Sequence, residues 1–184
     1  MDERPISLGL AGDLPEELEV RTMGGPNVSR PHMPGYGIAD ANEGKCLFSW
    51  SWATERLTAA RTYWIATTRS NGQPHVMPVW GVWIDDAFYF STGNQSRKAR
   101  NLIENPRCSI CCELGEDQII LEGSARLMDD ESLARRFGEA YQAKYDFDME
   151  GFNEPFYAVH PKTVFGFTTA DDQFTRTATR WMFD

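Results

Sequence analysis

Eleven consecutive residues, Ser91-Thr92-Gly93-Asn94-Gln95-Ser96-Arg97-Lys98-Ala99-Arg100-Asn101, put two hydroxyls and a turn directly ahead of three cations. A helix is expected over residues 96–104, stopped by Asn105-Pro106, so Arg97, Lys98 and Arg100 would fall at its start. Cations there oppose the helix macrodipole and do nothing for helix stability. A bound anion reconciles them, because free first-turn N–H groups, hydroxyls and cations together make a phosphate site. The competing reading is a solvated basic face with Leu102 and Ile103 buried behind it.

The neighbouring run His75-Val76-Met77-Pro78-Val79-Trp80 reads as a strand with a proline in its middle. Pro78 cannot donate to a ladder, which leaves backbone groups available to something other than a strand. The edge of a planar heterocycle would satisfy them; a bulged edge strand is the alternative. Other candidate chemistry falls away. Cys108 and Cys111 of the run Cys108-Ser109-Ile110-Cys111-Cys112 would point to opposite faces of a strand, which spoils a dithiol or zinc site. His32, His75 and His160 lack metal-ligand spacing. Asp85-Asp86, Asp129-Asp130 and Asp171-Asp172 sit where turns and a helix start want Asp. No P-loop is present, and no Gly-x-Gly-x-x-Gly follows a strand. No metal is expected.

The elements that must position these residues can be read around them. Residues 1–50 form an arm, largely irregular, with Pro5, Pro15, Pro26, Pro31 and Pro34 interrupting any periodicity. Residues 51–184 form the cofactor-binding domain. It opens on a short helix to residue 61 with Ser51 as N-cap. Strands follow over 63–68 and 75–84, joined through Asn71-Gly72, with a bulge or edge at Pro78 and Gly81. Asp85-Asp86 turns the chain into a strand over 87–91. Beyond the basic helix come strands over 107–113 and 118–128. A longer helix capped by Asp130 carries Leu133, Phe137, Ala140, Tyr141 and Tyr145 on one face. Two short strands, 157–159 and 163–169, precede the tail. Six or so antiparallel strands with one interposed helix and few edges make a small closed barrel the expected architecture.

The net charge of −9 argues against nucleic acid as a partner. Residues 1–20 hold no apolar signal region, and no window reaches the length of a membrane span. With the four cysteines read as reduced thiols, the expectation is a cytoplasmic protein with no membrane partner.

An ordered series resembles the pyridoxamine-phosphate-oxidase-like family of FMN-binding split β-barrels. It comprises Tyr63-Trp64-Ile65-Ala66-Thr67-Thr68-Arg69-Ser70-Asn71-Gly72-Gln73-Pro74-His75-Val76, Pro78-Val79-Trp80-Gly81, Ser91-Thr92-Gly93, Ser96-Arg97-Lys98-Ala99-Arg100-Asn101-Leu102 and Glu122-Gly123-Ser124-Ala125. The family includes FMN enzymes and deazaflavin (coenzyme F-420) dependent reductases. The resemblance implies a mainly β fold, a six-stranded antiparallel split β-barrel with peripheral helices. It also implies a homodimer with the cofactor at the subunit interface. His75, Val76, Met77, Pro78, Val79 and Trp80 would lie along the ring. Ser91, Thr92, Arg97 and Lys98 would hold the phosphate, with Asn101 nearby. Arg180 and Trp181 would match the C-terminal pair that reaches the cofactor. FMN is the expected cofactor, and coenzyme F-420 the alternative; Arg30 on the arm is a candidate for the basic surface that the longer F-420 tail calls for.

Members that oxidise pyridoxamine phosphate begin the ring-contacting strand with Arg and end it with Lys, where this chain has His75 and Trp80. The tail also lacks their Arg-x-His. The expected activity is therefore hydride transfer to or from a small planar organic molecule, and not standard pyridoxamine-phosphate oxidation. Tyr63, His75 or solvent would supply the proton; no catalytic residue is assigned. The alternative is a non-catalytic flavin or haem carrier or sensor, with His75 or His160 as axial ligand in the haem case.

Overall fold

The computed structural model describes residues 25–38, 46–149, 151, 154–170 and 173–184. In chain order the elements are β1 (Asn27–Ser29), α1 (Trp50–Ala59), β2 (Tyr63–Thr68), β3 (Pro74–Val79), β4 (Val82–Ile84), β5 (Ala87–Ser91), α2 (Arg97–Glu104), β6 (Arg107–Leu114), β7 (Asp117–Leu127), α3 (Glu131–Tyr145), β8 (Phe156–Thr168), α4 (Phe174–Thr177) and β9 (Thr179–Met182). Residues 1–24 and 39–45 of the expected arm, and Asp171-Asp172, lie outside the described residues.

Period-two alternation builds the core. Tyr63, Ile65 and Thr67 of β2 turn inward, as do Cys108, Ile110 and Cys112 of β6 and Ile119, Leu121 and Ala125 of β7. Cys111 faces the other way from Cys108, as the strand period requires. Each fully buried large side chain contributes about 1.5–3 kcal/mol of burial free energy. Burial also pushes the Cys108 and Cys112 thiols up to about 12, so they stay protonated and unreactive.

All pairings are antiparallel, in the order β1-β9-β8-β7-β6-β2-β3, with β4 on β5 and β5 on β8. The expected stretch 75–84 is one bent strand broken at Trp80-Gly81 into β3, which pairs with β2, and β4, which pairs with β5. Counting that bent strand once, β2, β3/β4, β5, β8, β7 and β6 give the six-stranded split barrel. The hydrogen-bonded path stays open between β3 and β4, where only the covalent chain crosses. The nine strands among the described residues add β1 and β9 outside that ring.

Three expectations change for local reasons. The α1 N-cap is Ser49 rather than Ser51: its hydroxyl accepts from Trp52 N–H at 3.2 Å, and the earlier start brings Trp50 within 5.7 Å of Trp181. Residues 157–159 and 163–169 belong to the single strand β8. His160-Pro161 does not end it, because Pro161 falls between the segment paired with β5 (Phe156 to Val159) and the segment paired with β9 (Thr163 to Gly166). On the other side β7 absorbs the irregularity with a register shift between Glu122 and Gly123, where a Cβ on Gly123 would sit 2.3 Å from His160 O. Finally, only Leu102 is buried behind α2; Ile103 is 76% exposed.

Candidate functional site

The turn between β5 and α2 is stitched from its own hydroxyls. Ser91 Oγ donates to Pro155 O (2.8 Å), and Thr92 Oγ1 lies 3.1 Å from Ser96 Oγ. Ser96 caps α2 by accepting from Ala99 N–H at 3.1 Å. Asn94 N–H donates to Glu154 Oε2 at 3.3 Å. With its proton committed to Pro155 and its backbone on β5, Ser91 shapes the turn. The first-turn N–H groups of Arg97 and Lys98 have no intrahelical acceptor.

Arg97 is exposed and Lys98 half-buried; among the described residues neither pairs with a carboxylate, nor does Arg100. Burial holds the Lys98 ammonium below its ordinary pKa.

Asn101 works from behind. It is 3% exposed, and its amide donates to Thr67 Oγ1 (2.9 Å), while Thr67 Oγ1 donates to His75 O (3.3 Å). This chain of bonds ties α2 to β2 and then to the start of β3, so Asn101 positions the site's walls.

His75 stands where these elements meet. Its Nδ1 is buried with no hydrogen-bond partner. Burial, then the charges of Arg69, Lys98 and Arg97, hold its imidazole below the ordinary value. Arg69 is the residue that sequence reasoning missed. It follows β2 in the hairpin loop, its Nη1 donates to Gln73 Oε1 at 3.2 Å, and its Nε is buried without a partner. Its position beside an Asn-Gly turn made it look like an ordinary loop residue.

The rest of β3 is open. Val76, Met77 and Pro78 are exposed and Val79 is buried, and beyond β2 the strand has no partner among the described residues. Trp80, 47% exposed, stacks on Tyr145 with ring centroids 4.7 Å apart and planes at 3°, with Phe147 edge-on at 6.3 Å. Gly81 holds this arrangement: its N–H donates to Tyr145 Oη (2.9 Å), and the Tyr145 hydroxyl donates to its carbonyl (2.8 Å). A Cβ there would lie 2.3 Å from the Phe88 ring, so only glycine fits. Lys144 Nζ donates to the same carbonyl (3.2 Å) and to Tyr63 Oη (2.7 Å), and burial lowers its pKa to about 8.

Tyr63 is fully buried, its hydroxyl donates to Leu57 O, and burial raises its pKa far above the usual phenol value. It therefore cannot give a proton to anything on the outer face of β3, and the sequence expectation is corrected on that point. Trp181 is also enclosed, at 0% exposure, in the core beside Trp50 and Trp52. Arg180 lies on β9, with four strands between it and β3, and its Nε donates to Ser29 Oγ at 3.1 Å. Arg30 is 4% exposed and offers no open basic surface. One chain thus brings together His75 through Trp80, Arg97, Lys98 and Asn101 with the Ser91-Thr92 turn, and leaves Arg180 and Trp181 elsewhere.

Two cavities mark the outward face of the sheet. One of about 440 Å³ crosses β2, β6, β7 and β8 beside Thr67, Thr68, Pro74, Ser109, Glu122 and Lys162. The second, about 380 Å³, lies between Pro31-His32-Met33 and Ile120, Phe165, Phe167 and Arg180. The first adjoins the start of β3, yet neither is lined by Arg97 or Lys98.

A family model described as pyridoxamine 5'-phosphate oxidase matches residues 53–170. No curated protein sequence matches. Among solved structures, a conserved hypothetical protein from Mycobacterium tuberculosis superposes with TM-score 0.62 at 21% identity, over 68% of this chain and 88% of that one. An F420 reductase gives 0.51 at 18% identity, over 60% of this chain and 93% of that one. A heme-binding protein from Mycobacterium smegmatis gives 0.55 at 16% identity, over 65% and 55% of the two chains. These likenesses show a common mainly β fold; what is held on it must be argued from the residues of the site.

Proposed function

We propose, from the premise that this chain belongs to the pyridoxamine 5'-phosphate oxidase family, that it is an oxidoreductase holding a phosphorylated flavin at Arg69, His75, Arg97 and Lys98. The observation that carries the proposal is the un-neutralised cationic cluster at the start of α2, set against the open edge of β3. Like charges held together repel one another, and an anion placed among them relieves that repulsion. The orphaned His75 Nδ1 and Arg69 Nε fit the same group, since a phosphate offers acceptors to both. FMN is the cofactor this geometry suits; coenzyme F-420 shares the phosphate end and remains the alternative.

When bound, the ring would supply hydride chemistry, and the protein would supply everything around it. Arg97 and Lys98 anchor the anionic end, spending binding energy away from the reacting atoms on positioning. The unpartnered edge of β3 offers backbone groups to a planar heterocycle. Trp80, held flat against Tyr145, gives that edge an aromatic wall suited to a small planar substrate. With Tyr63 enclosed, a proton would come from His75 or solvent.

A second copy of the chain completes the reading. Trp64 is 50% exposed on the outward face, in register with Pro78 on one side and Cys111 on the other. Covering this face in a homodimer would bury those groups. The four free thiols support a reducing compartment such as the cytoplasm; among the described residues no helix is long and apolar enough to cross a membrane. A flavin carrier would use the same site. The haem version asks His75 to meet iron, and three cations facing that imidazole favour an anion instead.

Equilibrium titration with FMN and with F-420, followed by fluorescence, tests the reading. Saturable binding of either at micromolar concentration supports it, and binding of neither overturns it. Turnover of a nicotinamide donor then separates enzyme from carrier.

A further inference from the structure

Of the four basic side chains in the cluster, an imidazole alone ordinarily changes charge between pH 5 and 8. The groups facing His75 come from two directions: Arg69 from the hairpin loop, and Arg97 and Lys98 from the first turn of α2. Among the described residues no carboxylate bonds to it, and its Nδ1 is buried without a partner. Thr67 holds the His75 carbonyl and Asn101 holds Thr67, which fixes the backbone from which the imidazole projects. The free protein therefore keeps His75 neutral at pH 7, with three fixed charges around it.

An anion reverses that balance. Negative charge placed among Arg69, Arg97 and Lys98 cancels the repulsion that keeps the proton off, and gives an imidazolium N–H an acceptor. We infer that His75 takes up one proton from solvent as an anion binds, so that the site completes its own charge and tightens on phosphate-bearing ligands as pH falls. The inference rests on the reading of this cluster as an anion site. The balance is one proton from bulk water to the imidazole, with no covalent bond to the anion made or broken. Proton uptake makes the association constant fall with rising pH by at most about tenfold per unit. The fall is confined to the window between the free and the anion-bound values of His75.

Sulfate is the probe, because it keeps its double charge across pH 5–8 and cannot supply the pH dependence itself. The chain has three histidines, so the His75 imidazole can be followed by NMR and assigned with His75→Gln. Spectra recorded from pH 5 to 8 in sulfate and in chloride of equal ionic strength give the result. The expected outcome is a His75 titration shifted upward in sulfate, with His32 and His160 unmoved. Sulfate affinity, read from the Arg97 and Lys98 backbone amides, should fall with rising pH in the wild type and stay flat in His75→Gln. If those amides saturate with sulfate while the His75 titration stays put, proton uptake is refuted and the anion site stands. If neither sulfate nor FMN moves them, both readings fall together.

Discussion

Replacing Lys98 with alanine removes one of the cations that no carboxylate pairs with among the described residues. A charge-assisted hydrogen bond to phosphate is worth about 1.5–3 kcal/mol, which corresponds to a loss of affinity of roughly tenfold to a hundredfold. Lys98 is half-buried and its burial already disfavours the charge, so the bound anion has both a Coulombic and a desolvation deficit to relieve. The upper half of that range is therefore expected. The same facts predict the opposite sign for the protein alone. Lys98 makes no ion pair among the described residues and sits near other positive groups, so its loss should leave the apo melting temperature unchanged or raise it. The assay is paired: FMN titration by fluorescence, and thermal unfolding without ligand, for wild type, Lys98→Ala and Lys98→Arg. Lys98→Arg should recover part of the affinity. Unchanged FMN binding in Lys98→Ala would refute the phosphate assignment. A drop of several degrees in the apo protein would show that the ammonium has a structural partner after all.

Further outcomes follow from the neighbouring contacts. Asn101→Ala leaves Thr67 Oγ1 without its buried donor and should cost about 1–3 kcal/mol in urea unfolding, loosening FMN binding with it; equal stability would mean that the α2–β2–β3 tie is dispensable. Tyr145→Phe removes the hydroxyl that Gly81 uses twice and should cost a similar amount, about 1–3 kcal/mol, with the Trp80 fluorescence spectrum shifting as its stack loosens. For Lys144 burial brings the folded pKa to about 8, below the ordinary lysine value of 10.5. Between those values the unfolded chain holds the extra proton, so this group adds stability as pH rises through the window, and none of that gain exists below it. Wild type should gain stability relative to Lys144→Met from pH 8 to 10, and a difference independent of pH would contradict the assignment.

How far the sequence carried the fold depends on the range of the forces concerned. Tyr63–Thr68, the Asp85-Asp86 turn and the Asp130 cap were legible because each is a local preference, of alternation, of left-handed turn residues or of side-chain acceptors. Where two local choices were nearly equal, packing decided. Ser49 and Ser51 are both good caps, and the helix starts where Trp50 can reach the Trp181 and Trp83 rings. His160-Pro161 looks like a strand end, yet the strand passes through because its unpaired side happens to fall there.

The same distinction separates the site residues. Arg97 and Lys98 announce themselves, since a cation at a helix start is a local anomaly that asks for an explanation. Arg69, Tyr63 and Trp181 do not, because their roles depend on what the barrel folds over them. Tyr63 reads as a reactive phenol in the chain and becomes a core hydroxyl held by Leu57 and Lys144. Trp181 reads as a cofactor ring-mate and becomes the centre of an aromatic cluster with Trp50 and Trp52. Arg69 gains its meaning from His75, which the hairpin returns to its side and whose imidazole its charge helps hold neutral. A residue's type proposes its chemistry. Its access to water and to opposite charge then decides which of those proposals can be carried out, and in this chain the deciding contacts come from elements far away in sequence.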